Sequence, residues 1–323
     1  MRRIGIIDLG SNTVRLVVYE ARRHVASRRP KDGELSVTDA WRHGGKRPFR
    51  EIMDKKKIAG LSAYVADGKL SDEGIECAIE TVKSLVKSAN NIGCSDVHVF
   101  ATAVVRNCKN SKCVTEEINK GANVSLDVLG EVDEAHLGFV GATCDRVIDE
   151  GTLIDIGGGS TELTAIQGGH DVRDLSIPQG SVSSYAQFVS YILPQPGEEE
   201  AIRDAFAKNL SRVKNLDGFA TRAMYGIGGS VRAIGKLYTV AFSADKQVQT
   251  LELAQLKALE KLLKGDPSAF AHAATKAVPE RMHTVAPGLI IARSLMQRLG
   301  AKTLAICKHG VREGYLLERI LKA

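Results

Sequence analysis

Two short segments of the chain carry the groups needed to hold a phosphate chain. Residues 4–16 read Ile-Gly-Ile-Ile-Asp-Leu-Gly-Ser-Asn-Thr-Val-Arg-Leu, and residues 151–163 read Gly-Thr-Leu-Ile-Asp-Ile-Gly-Gly-Gly-Ser-Thr-Glu-Leu. At an offset of 147 positions, Ile7, Asp8, Gly10 and Leu16 fall on Ile154, Asp155, Gly157 and Leu163. Each copy is an apolar strand ending in an acid, then a glycine turn, then a second strand. A glycine in such a turn lets backbone N–H groups approach an anion, because no Cβ intervenes. Ser11, Asn12 and Thr13 can add side-chain donors beside Gly10, as can Ser160 and Thr161 beside Gly157, Gly158 and Gly159. A bare phosphate would repel Asp8, so its position implies a bridging Mg²⁺ or another divalent cation, or a water bound to one. Asp155 mirrors Asp8, and Glu162 adds a carboxylate one strand further on. Taken alone, the first turn also reads as a β-hairpin stabilised by its own Asp and Asn. The second copy argues against that, since three consecutive glycines cost entropy that a strand end without a ligand would not repay.

A third glycine turn, Gly226-Ile-Gly-Gly-Ser230, lies between a strand and a helix. Gly228, Gly229 and Ser230 could receive a phosphate at the helix N-terminus or let a nucleotide pack on the backbone. The alternative is close helix–strand packing. No GxxxxGK[ST] run occurs, so this is not a P-loop protein.

The elements that position these turns follow from the hydrophobic pattern. Strands are expected at 4–8, 14–19, near 47–53, at 97–101 and at 124–129. Ser71 caps a helix reaching Asn91, with Ile75, Ile79, Val82 and Val86 on one face. A helix follows from about 132 to 148. Beyond it come strands at 152–156, 162–167 and 171–177, then helices at 181–192 and 197–215. A strand at 223–226, helices at 231–238, 252–264 and 285–299, a strand at 303–306 and a helix at 311–321 complete the chain. Strands alternating with helices make this an α/β protein. The doubled motif makes it two related domains, 1–125 and 126–310, with the last helix (311–323) returning to the first.

The 323 residues suffice for two cores, and 44% hydrophobic with 25% charged residues is the balance of a globular protein. No run approaches the ~20 apolar residues of a membrane span. Asp8, Asn12 and Arg15 interrupt the N-terminal apolar run, so no leader is expected. The six cysteines form no CxxC pair and no zinc-ligand spacing, which fits reduced thiols in the cytoplasm. The net charge of +6 is uneven: residues 1–60 hold 15 Lys/Arg against 7 Asp/Glu, and the other 263 residues hold 29 against 31. The excess includes Arg22, Arg23, Arg28, Arg29, Lys31, Arg42, Lys46, Arg47, Arg50 and Lys55–Lys57. It attracts polyanions or forms a solvated loop. Only Trp41 and Phe49 interleave with it, which argues against a base-stacking nucleic-acid platform.

In this order, these motifs resemble the actin-like ATPase superfamily, and within it the Ppx/GppA family of exopolyphosphatases and guanosine pentaphosphate phosphohydrolases. The likeness rests on Asp8–Arg15, Leu153–Leu163 and Gly226–Ser230, together with Gly130-Glu-Val-Asp-Glu-Ala-His-Leu137 and Gly310-Val-Arg-Glu-Gly314. It implies two actin-like, ribonuclease-H-like domains, with mixed sheets flanked by helices and the active site in the cleft between them. It implies that Glu134 is the catalytic base and that Arg106 neutralises phosphate charge. By the helix alone, Glu131, Asp133 and Glu134 would read as first-turn acids favoured by the dipole. A homodimer is the family expectation. Three features depart from the family pattern. His136 stands where the family has Arg, Lys308-His309 precedes Gly310 in place of Ser-Asp, and His283 lies where Asp is frequent.

The resemblance implies hydrolysis of the terminal phosphoanhydride of inorganic polyphosphate, with guanosine pentaphosphate as the alternative substrate. A phosphotransferase of the superfamily would need an acceptor pocket with its own base, and no motif announces one. A non-catalytic nucleotide sensor or assembly protein would have no need of both intact Asp-Gly motifs.

Overall fold

In the computed structural model, which describes residues 1–21, 48–144 and 146–321, two β-sheets organise the chain. The basic residues from Arg22 to Arg47, and Trp41 with them, lie outside the described residues. The first sheet contains β1 (Arg2–Leu9), β2 (Thr13–Ala21), β3 (Phe49–Ile58), β6 (Asp96–Ala101) and β7 (Leu126–Val128), ordered β3-β2-β1-β6-β7. A separate two-residue hairpin joins β4 (Val65–Ala66) to β5 (Lys69–Leu70). The second sheet contains β8 (Gly151–Ile156), β9 (Thr161–Gln167), β10 (His170–Ile177), β11 (Ala223–Ile227), β12 (Thr250–Glu252) and β13 (Thr303–Ile306). Its order is β10-β9-β8-β11-β13-β12.

The internal echo in the sequence thus extends to topology. β1 and β8 are each flanked by an antiparallel hairpin partner on one side and a parallel strand on the other. Burial on both faces explains their near-continuous apolar runs: Ile4, Ile6, Ile7 and Leu9 are fully buried, as is Ile154. Register is shared as well. Asp8 faces Arg15 as Asp155 faces Glu162, and Ile7 faces Leu16 as Ile154 faces Leu163.

The chain divides into two compact units, one of residues 1–146 with 311–323 and one of residues 147–310. Each has its own core. One gathers Ile7, Leu9, Leu16 and Val99 with Ile75, Ile79 and Val82, and the other gathers Ile154, Leu163, Phe206, Phe219 and Leu289. The join therefore falls after Arg146 rather than near residue 125. The physical reason is that Leu126–Val128 pairs in parallel with β6 and so extends the first sheet.

Helix bounds also differ from the sequence expectation at several places. The Asp72–Asn91 helix is capped as expected, with the Ser71 side chain accepting from Gly74 N. Two helices that the apolar pattern missed are Ser111–Ala122 and Pro267–Ala277. In the second, Asp266 caps the helix by accepting from Ala269 N, and Pro267 occupies the first turn, where its missing N–H costs nothing. The expected 132–148 helix is Glu131–Ala142, and the expected 181–192 helix is Ser181–Phe188. The Val311–Tyr315 helix continues as a π-helical turn, Leu316–Leu321. Among the described residues, no helix is long and apolar enough to cross a membrane. All six cysteines are free thiols.

Candidate active site

In the first unit, the chemistry-bearing segments leave the sheet at one edge. Leu9 pairs with Ala101, and Ala101 with Val128, so β1, β6 and β7 end side by side at their carboxyl termini. That edge is where open α/β sheets take their ligands. The turn after β1 is closed by Gly10 N donating to Thr13 O at 3.2 Å. A Cβ on Gly10 would lie 3.0 Å from that same oxygen. The turn carbonyls are drawn inward: Ala59 N and Gly60 N donate to Asn12 O, and Ser62 N donates to Ser11 O. Among the described residues, the N–H groups of Ser11 and Asn12 and the side chains of Ser11, Asn12 and Thr13 have no hydrogen-bond partner. A turn whose carbonyls are bonded within the protein while its N–H groups are not is suited to an anion.

Asp8 is held by Arg312, whose Nη1 donates to Oδ2 at 2.8 Å. Burial pushes the Asp8 carboxyl above the usual carboxylate range, and the Arg312 guanidinium opposes that push. The next residue, Glu313, is buried and accepts from the hydroxyl of fully buried Tyr19. Arg15, across from Asp8, turns instead to Asp54 on β3, where Nε donates to Oδ1 at 2.7 Å.

Glu134 sits in the first turn of Glu131–Ala142, a helix whose N-cap, Gly130, offers no side chain. Arg106, at the end of the short Ala103–Arg106 helix, spans the gap to it. Its Nη1 donates to Leu129 O at 3.1 Å and to Glu134 Oε2 at 2.5 Å. Both side chains are nearly buried, at 12% and 11% exposure, so this is a strong, charge-assisted bond. Among the described residues, Arg106 Nη2 is buried with no hydrogen-bond partner, a donor to spare. The helix itself is clamped from the C-terminal segment. Arg319 pairs with Asp133 at 2.7 Å, and His136 Nε2 meets Glu318 at 3.0 Å. Tyr315 donates to Asp127 at 3.1 Å, just upstream of the helix.

The second unit repeats the turn. Gly157 N donates to Ser160 O at 2.9 Å, matching the Gly10–Thr13 bond. The Ser181–Phe188 helix anchors the loop, with Ser181 N donating to Gly157 O and Val182 N and Ser183 N to Gly158 O, each at 2.9 Å. Among the described residues, the N–H groups of Gly158, Gly159 and Ser160 have no partner. The hydroxyls behave differently from those of the first turn. Ser160 donates to Glu162 Oε1 at 2.5 Å, Thr161 to Gln179 O at 2.7 Å and Ser230 to Ile156 O at 2.7 Å. These three fix the loop, and its backbone is what faces outward. Ser176 also donates to Glu162 Oε1, at 3.1 Å.

Gly228 and Gly229 are required by two charged neighbours. Gly228 has φ +79°, and a Cβ there would lie 2.1 Å from Asp155 Oδ1. A Cβ on Gly229 would lie 2.0 Å from Arg281 Nη2. The glycines thus admit an acid and a guanidinium onto one stretch of backbone. Arg281 was not foreseen from the sequence; its only signal was its place two residues before His283. The His283 ring stands edge-on to Tyr185 at 5.1 Å, and burial, then the Arg281 charge, lowers its pKa from the ordinary histidine value. Lys308 lies near Arg232, whose Nη1 donates to its carbonyl at 3.1 Å.

Among the described residues, no group of three or more His, Cys, Asp or Glu gathers to hold a metal. Asp155 with Glu162, and separately Asp8, offer hard oxygen donors in small number. That set fits Mg²⁺, which keeps waters and takes substrate phosphate oxygens, and would not suit a softer ion.

The model of the Ppx/GppA phosphatase family matches residues 41–323. The chain belongs to that family. Its class of reaction is phosphoanhydride hydrolysis. The chain is similar to Exopolyphosphatase 1 of Mycobacterium leprae (strain TN), at 27% identity over 332 residues covering 98% of this chain and 89% of that protein. Exopolyphosphatase 1 of Mycobacterium tuberculosis (strain H37Rv) is 25% identical over 329 residues, covering 98% and 88%. The Aquifex aeolicus PPX-GPPA enzyme superposes with a TM-score of 0.70 at 23% identity, covering 98% of each chain. An exopolyphosphatase from Cytophaga hutchinsonii gives a TM-score of 0.78 at 18% identity, covering 98% and 97%. These neighbours share the fold, a mixed α/β architecture of two sheets flanked by helices, of the actin-like ATPase type.

Proposed function

We propose that this Ppx/GppA member is an exopolyphosphatase that removes the terminal phosphate of inorganic polyphosphate, with Glu134 activating water. The observation that carries the reading is the buried Arg106–Glu134 pair, at 2.5 Å, at the same strand edge as the Asp8–Thr13 turn. A carboxylate held there can orient a water and take its proton as the oxygen attacks the terminal phosphorus. The bond from that phosphorus to its bridging oxygen breaks, releasing orthophosphate and a chain shorter by one unit. Arg106, with its spare buried Nη2, is suited to neutralise charge on the transferring phosphoryl group. In the first unit the backbone N–H groups of Ser11 and Asn12 would grip phosphate oxygens, and in the second those of Gly158 and Gly159 are suited to the same task. Arg281 adds a cation on the Gly228–Ser230 turn. Asp155 and Glu162 of the second unit would offer oxygen donors to Mg²⁺, as Asp8 would in the first, and the ion would neutralise charge on the phosphate chain.

Polyphosphate ranks ahead of guanosine pentaphosphate because the relatives carry the name exopolyphosphatase and because residues 1–60 are strongly basic. The test is a phosphate-release assay on long polyphosphate, tripolyphosphate, guanosine pentaphosphate and ATP, with Mg²⁺ and with chelator. Polyphosphate with Mg²⁺ should give the highest kcat/KM, and chelator should stop release reversibly. Glu134→Gln should lower kcat about 10²- to 10⁴-fold with little change in polyphosphate affinity. Full activity in that variant would remove Glu134 from the mechanism, and preference for guanosine pentaphosphate would reverse the substrate order.

A further inference from the structure

We propose that Lys55 and Lys57 form a rail that carries the non-reacting part of a polyphosphate chain away from the Ser11–Thr13 turn. The inference deepens the exopolyphosphatase reading and rests on it for the identity of the polyanion. Its starting point is register. Ile58 pairs with Thr13, Lys57 with Val14 and Lys55 with Leu16, so the two lysines begin one position from the phosphate turn and recede along β3. They point to the same face, about 7 Å apart. Both ammonium groups are held in place: Lys57 Nζ donates to Ser84 Oγ at 2.7 Å and Lys55 Nζ to Ser88 Oγ at 2.9 Å. The serines are one turn apart on the Asp72–Asn91 helix, and Ser88 Oγ in turn donates to Ser84 O at 2.9 Å.

What distinguishes these lysines is the neutrality of their partners. Neighbouring cations are matched by acids: Arg15 by Asp54, Arg50 and Arg3 by Glu20, and Lys83 by Glu80. Lys55 and Lys57 are anchored by hydroxyls, which fix position without cancelling charge. Lys87 is exposed, on the helix surface beside Ser84 and Ser88. Among the described residues no carboxylate pairs with Lys55, Lys57 or Lys87. Each anchored ammonium spends one donor on its serine and keeps two for oxygens of a ligand. Like charges on one sheet face repel, so holding them together without acids costs stability unless a polyanion lies across them. A chain carrying a charge on every unit fits such a rail, and a single terminal phosphate in the turn does not reach it.

The test is the double variant Lys55→Gln/Lys57→Gln with two substrates, long-chain polyphosphate and tripolyphosphate. For the long chain, KM should rise about 5- to 10-fold with kcat within twofold. For tripolyphosphate, both constants should stay within twofold. Affinity is read separately in a Glu134→Gln background, by titrating long-chain polyphosphate over a range of NaCl concentrations. By counterion release, loss of two contacts should lower the slope of log Kd against log salt by about 1.4. The Lys55→Arg/Lys57→Arg variant should restore both the KM and the slope. An unchanged KM for the long chain overturns the proposal, as does an equal rise for both substrates. An equal loss of affinity for single-stranded DNA would also overturn it, giving the lysines to nucleic acid. If the unaltered enzyme released no phosphate from any polyphosphate, the proposed function would fall, and the salt slope alone would decide the rail.

Discussion

Gly314→Ala is the most direct probe of how Glu134, the proposed base, is positioned. Gly314 lies in the Val311–Tyr315 helix, against the backbone of the helix that carries Glu134. An ideal Cβ there would stand 1.9 Å from Leu137 O, 2.7 Å from Leu137 C and 2.9 Å from Leu137 Cα. Real Cβ contacts do not fall below 3.0 Å, so the helices must part by at least 1.1 Å at this point (3.0 minus 1.9). Backbone cannot rotate aside as a side-chain tip would, so the strain is taken up by movement of a whole helix. Overpacking of this kind costs about 1–3 kcal/mol. A displacement near 1 Å, three residues from Glu134, should reduce kcat about 10²-fold. The assay is phosphate release at saturating polyphosphate, beside guanidinium denaturation to show that the variant is folded at the assay temperature. Gly265→Ala is the matched control, because a Cβ there meets nothing within 4 Å. It should be neutral in both measurements. A Gly314→Ala enzyme with the denaturation midpoint and kcat of its parent would refute the claim that this backbone contact sets the position of Glu134.

Two further outcomes follow from the second unit. Gly228→Ala places a Cβ 2.1 Å from Asp155 Oδ1 at a φ of +79°, so it should destabilise the protein by about 1–3 kcal/mol. It should also raise the Mg²⁺ concentration needed for half-activation; an unchanged titration would separate Asp155 from the cation. His283→Phe keeps a ring against Tyr185 but cannot titrate. Burial and Arg281 lower the folded-state pKa of His283 below its unfolded value. The stability it contributes is therefore full above about pH 6.5 and is lost as pH falls through the folded value. The parent's stability relative to the variant should shrink between pH 7.5 and pH 5, measured by denaturant unfolding. A difference that stays constant with pH would mean that His283 is not held neutral by its surroundings.

The parts of the site that could be read in the sequence were those made by local geometry. The Gly10–Thr13 and Gly157–Ser160 bonds close the same turn, and a turn's needs are met by neighbouring residues, so its glycines betray it. Local geometry does not set the direction of a hydroxyl. Ser160, Thr161 and Ser230 look like phosphate ligands by type, but their hydroxyls go to Glu162, Gln179 O and Ile156 O. Which way a hydroxyl points depends on what packs behind it, and that comes from distant segments. Arg312 falls within the Gly310–Gly314 motif, yet its pairing with Asp8 across 304 positions leaves no local trace. The Pro267–Ala277 helix was missed for the opposite reason. Its Asp266-Pro267 pair falls between two apolar-periodic runs, and proline in a first turn with aspartate before it is itself a helix opening.

The first unit is not contiguous in the chain, and this has a consequence for how the enzyme is made. Its last elements, 311–321, leave the ribosome only after all of 147–310 has been synthesised. Those late residues supply Arg312 to Asp8 on β1 and Glu313 to Tyr19 on β2, and Arg319 to Asp133, next to Glu134. The second unit can therefore gather its core while the first still lacks its final helix, and contacts of such long sequence separation form slowly. A nascent chain would carry both glycine turns yet hold Glu134 loosely until residues 311–321 have emerged. Hydrolytic competence therefore waits on residues 311–321.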